Sequence, residues 1–158
     1  MTDNFEISLQ KAKMIDCGQI HKILVESFNE LLEKYRDYNT NPAAEPMETI
    51  EQRMAQEFTD YYFICLKGNI IGAIRVLRLN SDTSRISPMF ILPKYQGRGY
   101  AQQAVSKAES LYPAAKRWEL DTIKQEPKLC YLYEKMGYTA TGKEEIIQNG
   151  MTIISYAK

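Results

Sequence analysis

Two glycines flank an arginine in Gln96-Gly97-Arg98-Gly99-Tyr100-Ala101, where a strand-like run gives way to a helical one. Glycine takes φ > 0 and, having no Cβ, lets main-chain N–H groups approach a ligand closely. A helix opening just after Gly99 adds its free amides and the positive end of its dipole, and phosphates are the usual occupants of such a place. Other chemistries have less to work with. Cys17, Cys65 and Cys130 are odd in number, far apart and without a C-x-x-C spacing, so neither a disulfide framework nor a zinc site follows. With His21 the single histidine, no His-based metal centre or Ser-His-Asp triad is expected.

Three phosphate loops compete for the glycine stretch. A P-loop needs G-x-x-x-x-G-K-[ST], and no such run exists in the chain. A dinucleotide fold is a closer contender, since Asp121 ends the next strand-like run about where a ribose-binding acid would sit. It fails because Gln102 holds the third glycine position and too little chain follows Asp121 for further βαβ units.

The elements that must position this loop can be read from pattern. Phe5 to Leu9 alternates as a short strand. Asp16, with Gln19 three residues on, reads as a capping box. It opens a helix whose apolar residues are Ile20, Ile23, Leu24, Phe28, Leu31, Leu32 and Tyr35. Residues 37–46 form a loop, and Met47, Ile50, Met54 and Phe58 mark a shorter helix. Two strands then join through Lys67-Gly68-Asn69, and a third, Arg85 to Ile91, contains Pro88, which cannot donate to a ladder and so predicts a bulge or an unpaired flank. The loop opens a helix with Ala101, Ala104, Val105, Ala108 and Leu111 on its apolar face, and Arg117 to Thr122 returns as a strand parallel to the third. A last helix from Glu126-Pro127 to Gly137 precedes a hairpin turned at Asn149-Gly150.

Composition allows all of this in one domain over residues 1–158. The chain is 44% hydrophobic and 25% charged, enough to bury a core without staples. No leader-like segment and no apolar run of membrane-spanning length is visible, which points to a cytoplasmic protein that does not engage a membrane. Net charge is zero, yet residues 1–60 carry six Lys and Arg against twelve Asp and Glu, and the remainder carries the opposite excess. A basic second half suits a phosphate-rich ligand and an acidic first half a cationic one, whereas scattered basic residues do not make a nucleic-acid surface.

The stretch Gln96–Ala101 matches the Gln/Arg-x-x-Gly-x-Gly/Ala signature, and the order of elements resembles the GNAT superfamily of N-acetyltransferases. "MFILPKYQGRGYA" is similar to the family's fourth strand and pyrophosphate loop, "WELDT" to its fifth strand, and Leu129 to Tyr138 to its late helix with a Tyr-Glu-Lys-x-Gly-Phe/Tyr ending. The resemblance covers nearly the whole chain. It implies a mixed α/β fold, with a central sheet of six or seven strands whose fourth and fifth members splay apart and about four flanking helices.

It also implies roles. Main-chain amides of Gln96, Gly97, Arg98, Gly99, Tyr100 and Ala101 would hold the pyrophosphate of acetyl-CoA, and the main chain of Phe90 and Ile91 would pair with the pantetheine arm like an added strand. Tyr133 would protonate the departing thiolate, since a phenol of ordinary pKa about 10 keeps its proton at neutral pH; packing within the apolar face of its own helix is the competing reading. No metal is implied. The acceptor would be a primary amine of a small molecule or peptide, with a cationic one suited to the acidic half, attacking directly in a ternary complex; a homodimer is compatible. The family often has Asn seven positions before this tyrosine, where this chain has Glu126, which reads more simply as a helix N-cap. Glu119, Asp121, Glu26 and Glu30 are candidates for taking the amine's proton. Cys130 as an acetyl-carrying nucleophile lacks an activating partner. The rival function is a non-catalytic acyl-CoA-binding module on the same fold.

Overall fold

In the computed structural model, which describes residues 5–158, seven strands form one sheet. They are β1 (Ser8–Lys11), β2 (Thr59–Leu66), β3 (Asn69–Arg78), β4 (Thr83–Ile91), β5 (Arg117–Ile123), β6 (Thr139–Gln148) and β7 (Met151–Ala157), in the spatial order β1-β2-β3-β4-β5-β7-β6. Every neighbouring pair is antiparallel except β4 and β5, which the intervening helix makes parallel. Helices α1 (Cys17–Tyr35) and α2 (Met47–Met54) cover one face, and α3 (Tyr100–Ser110) and α4 (Pro127–Lys135) the other. The mixed architecture, seven strands and four helices, is the one the sequence predicts.

Alternation divides the core accordingly. Tyr61, Phe63, Ala73 and Phe90 point towards Ile20, Ile23, Leu24 and Ile50 of α1 and α2. Ile64, Ile74, Val76 and Leu120 point towards Ala104, Val105, Ala108 and Tyr133 of α3 and α4. Alanine at two fully buried α3 positions lets that helix lie close on the strands. The β2–β3 turn is Lys67-Gly68, both with positive φ, as a two-residue hairpin requires.

Five local expectations shift. Phe5 to Ile7 is not strand: the Gln103 side chain accepts from the Ile7 N–H at 3.0 Å and donates to the Phe5 carbonyl at 3.1 Å, so α3 satisfies that backbone and pairing begins at Ser8. Asp16 does not cap α1. Its carboxylate accepts from the Lys13 N–H at 2.8 Å and closes the preceding helical turn, Met14–Asp16. Phe58 lies beyond the end of α2, and Leu111 beyond the end of α3; both are exposed. Glu126 occupies the N-cap position of α4 but makes no capping bond, because its carboxylate is engaged elsewhere.

Pro88 has both predicted consequences. The β3–β4 register slips between Ile74 and Val76, and β4 meets β5 only where Thr83–Arg85 face Arg117–Glu119. Beyond Arg85 the two strands part, so six residues of β4, 86–91, have no partner on that side.

Candidate active site

The gap between β4 and β5 ends at the glycine loop. Gly97 and Gly99 have φ of +76° and +83°, and a Cβ built on either would meet nothing within 4 Å. Open space therefore lies where side chains would be. Gly99 sits at the N-cap of α3, and the next residue, Tyr100, is buried in the core and anchors the helix start. Among the described residues, the main-chain N–H groups of residues 97–102 have no protein acceptor, and the ladder of α3 begins with Gln103 donating to the Gly99 carbonyl at 3.2 Å. A run of free donors beside open space at a helix N-terminus is the geometry that takes a phosphate or pyrophosphate. The Gln96 side chain donates to the Ile91 carbonyl at 2.8 Å, tying the loop to the end of β4, and the Gln96 N–H donates to the Pro93 carbonyl at 3.2 Å, so the amide expected there is not part of the free run. Arg98 is exposed at the rim.

Phe90 and Ile91 are both buried at the end of β4. The Leu92 N–H donates to the Ile71 carbonyl at 2.8 Å, and Gly72, Ala73 and Ile74 continue the register against Ile91, Phe90 and Met89. In an antiparallel ladder the polar groups of successive residues alternate in direction. Leu92 and Phe90 thus turn theirs to β3, and Met89 and Ile91 turn theirs to the gap. The approach of β3 is close: a Cβ on Gly72 would lie 2.1 Å from the Phe90 carbonyl oxygen, so no larger residue fits there without moving the strands.

Tyr133 projects from α4 into the core, its ring 6.0 Å from Tyr138 and 6.5 Å from Tyr156. Burial pushes its hydroxyl up to about 12. That hydroxyl has no protein hydrogen-bond partner among the described residues, yet it is not one of the fully enclosed orphan atoms, which are Ser27 Oγ, Thr59 Oγ1, the Tyr61 hydroxyl and Arg75 Nη1. Tyr133 therefore carries an O–H that keeps its proton through the neutral range and is not committed to a protein partner among the described residues.

The other candidates separate. Asp121 is held by Arg85 at 2.5 Å and by the Ser155 hydroxyl at 2.7 Å, and Glu119 by Arg117 at 2.8 Å. Glu26 and Glu30 are exposed on α1. Cys130 is half-buried, with Sγ 3.7 Å from the Ile123 carbonyl. Glu126 ties helices together: its Oε2 accepts from Lys34 Nζ at 2.6 Å and from the Tyr35 hydroxyl at 2.5 Å, while Gln148 donates to the Tyr35 carbonyl at 2.5 Å. The end of α1 is thereby fastened to the start of α4 and to β6. One cavity of about 380 Å³ lies beside Lys13 and Met54, and another of about 460 Å³ beside Gln102, Ser106 and Met136.

The family model for an acetyltransferase (GNAT) domain matches residues 30–158. The chain belongs to the GNAT acetyltransferase family. Solved structures similar to this GNAT chain over nearly its full length include three acetyltransferases. An acetyltransferase from Thermus thermophilus has a TM-score of 0.73 at 14% identity, with 97% of this chain and 96% of that chain covered. Spermidine N-acetyltransferase from Vibrio cholerae in complex with CoA and spermine has a TM-score of 0.76 at 18% identity, covering 97% and 95%. PaiA N-acetyltransferase from Thermoplasma acidophilum in complex with coenzyme A has a TM-score of 0.75 at 14% identity, covering 95% and 98%. No curated protein matches the sequence. At these identities the structures establish the fold of the GNAT chain.

Two residues near this GNAT gap, Met89 and Arg75, carry no sequence signal, and a third, Glu126, has a partner that its reading as an N-cap did not give. Met89 shares the gap-facing main chain with Ile91, but only the register reveals it. The Glu126 fastening joins residues some ninety positions apart. Arg75 is an arginine in an otherwise apolar strand, and nothing in its neighbours foretells that it is buried.

Proposed function

We propose that this chain is an acetyl-CoA-dependent N-acetyltransferase acting on a primary amine by direct attack, with both substrates bound together. The observation that carries this reading is the gap and the loop together: six residues of β4 without a β5 partner, and a loop whose amides at 97–102 have no acceptor among the described residues. A ligand with a peptide-like arm and a pyrophosphate fits both parts, and CoA is such a ligand. When bound, acetyl-CoA supplies an activated thioester. The loop amides of Gly97 to Ala101, with Gln96 bracing the loop on Ile91, hold the phosphates. The Met89 main chain and the Ile91 N–H face the arm, the Ile91 carbonyl being taken by Gln96, a pairing displaced from Phe90 by the observed register. Tyr133, its pKa pushed up to about 12 by burial, keeps its proton through the neutral range and gives it to the leaving sulfur.

The acceptor is an amine, in keeping with a similar structure that holds spermine. The exposed carboxylates Glu26, Glu30 and Glu33 on α1 favour a cationic one. A thiol-release assay with acetyl-CoA and a panel of polyamines, aminoglycosides, peptide N-termini and neutral amines tests both statements. Release with at least one amine is expected, with cationic acceptors preferred and their KM rising with salt. Binding of CoA without release for any amine would make the chain an acyl-CoA-binding module, and a preference for neutral or acidic amines would end the electrostatic argument.

A further inference from the structure

We propose that Arg75 is a positioning residue that sets which main-chain groups of β4 face the cofactor arm. The inference rests on the function proposed above. Ile74 pairs with Met89 and Val76 with Ile86, so Arg75 alone stands opposite both Ser87 and Pro88, and β4 carries one extra residue there. A bulge of this kind frees a carbonyl from the ladder, and Arg75 Nε takes up the Ser87 carbonyl at 2.5 Å.

The side chain does little else. Arg75 is 6% exposed, and burial pulls its guanidinium down to about 10. It makes no ion pair among the described residues; the nearby carboxylate of Glu45 is held by Arg53 through two bonds of 2.8 and 3.0 Å. Its Nη1 and the hydroxyl of its cross-strand neighbour Tyr61 are both enclosed without partners. A buried cation with one good bond and an orphaned nitrogen is a poor stabilising element, since an apolar side chain of similar size usually serves as well or better. What the cation does hold is the bulge.

The bulge changes the alternation of everything after it. Ile86 and Met89 pack on the same α3 face although three residues apart, and Phe90 lies on the opposite face, its ring 5.8 Å from Phe28 of α1. Unbroken alternation from Ile86 would instead put Phe90 on the α3 face and turn Pro88 and Phe90 to the gap. Proline has no N–H to give, so the arm would lose a donor as well as its register. Arg75 at one end and the close approach of Gly72 to the Phe90 carbonyl at the other hold Met89 and Ile91 in the facing positions.

Calorimetric titration of the wild type, Arg75→Met, Arg75→Lys and Tyr61→Phe with CoA and with adenosine 3′,5′-bisphosphate, which has no pantetheine arm, tests this. Arg75→Met is expected to raise the Kd for CoA about tenfold, the worth of one or two main-chain bonds, while the bisphosphate changes by less than about twofold. Arg75→Lys lacks the in-line Nε and should show the same selectivity, which decides the matter if the methionine variant does not fold. Tyr61→Phe, which does not touch Ser87, should bind both ligands as the wild type does. Equal losses for the two ligands, or an unchanged CoA affinity in the arginine variants, would overturn the proposal. A wild type that binds neither ligand would overturn the functional reading instead.

Discussion

The two ends of β4 treat hydrogen bonds in opposite ways. Beside its start, Asp60 accepts from the Tyr112 hydroxyl at 2.6 Å, pairs with Arg78 and with Lys11, and Tyr112 also shares a bond of 2.8 Å with Tyr62. Beyond its end, the amides of 97–102 have no protein acceptor among the described residues, and the Tyr133 hydroxyl on α4 has no protein partner among them either. Tyrosine makes the contrast sharp. Burial raises the pKa of both Tyr112 and Tyr133, but Tyr112 is raised further by giving its proton to a bond with Asp60. A tyrosine that holds its proton tightly is available for chemistry only if the O–H is not already committed; the hydroxyl at the first end is spent on the fold, while the donors at the second are left without protein partners among the described residues.

The largest effect expected of a single change falls on the loop. Gly99→Val must force a β-branched residue to φ +83° and put its side chain in the open space beside the free amides, and CoA affinity should fall by about a hundredfold or more, from strain and lost phosphate contact together. Calorimetry that finds the affinity intact would show that these free amides hold no phosphate. Tyr133→Phe comes next. It keeps the ring and removes the proton, so kcat should drop roughly a hundredfold, about 3 kcal/mol in barrier, with CoA affinity and melting temperature nearly unchanged. A variant with the wild-type kcat and pH profile, measured with chemistry rate-limiting, would falsify the proton-donor role and leave Tyr133 a core aromatic.

The smallest effect belongs to the committed end. Tyr112→Phe should leave turnover intact and cost about 1–2 kcal/mol of stability, because Asp60 loses a bond while remaining partly buried. Burial pushes the Asp60 carboxyl up, but the Tyr112 bond and the Arg78 charge outweigh it and hold the pKa below the ordinary value. Stability from a lowered carboxylate is complete above its unfolded value, about 3.9, and is lost as pH falls through the folded one. The gap between variant and wild type should therefore narrow below about pH 4. Trp118, the single tryptophan, sits 6.0 Å from the Tyr112 ring and can report that unfolding by fluorescence. If Tyr112→Phe damaged turnover while sparing stability, the division between the two ends would collapse.

Legibility in the sequence follows the range of the forces involved. The glycine loop, the turns at Lys67-Gly68 and Asn149-Gly150, and the parallel crossover into β5 are local backbone requirements, and residue type announces them directly. Pro88 announced both the bulge and the missing partner. What stayed hidden is decided by partners far along the chain: Gln103 taking the backbone of Phe5 to Ile7, Asp60 meeting Tyr112, Glu126 meeting Tyr35 instead of capping its own helix. Arg75 is the plainest case. Its role depends on a register slip in the neighbouring strand, which no spacing within β3 encodes.

The strand order has a consequence for how the protein comes to be made. The strands from β1 to β4 follow one another as neighbours, so their pairing can begin while later chain is still emerging. β5 cannot finish in this way. Its second neighbour is β7, which arrives after α4 and β6 and must slot between two strands already made. Until Met151–Ala157 has been synthesised, β5 and β6 present open edges, and the wall of the gap that they build is the last part of the sheet to close. The nascent chain is thus most exposed to mispairing late in translation, along the β5 side of the gap.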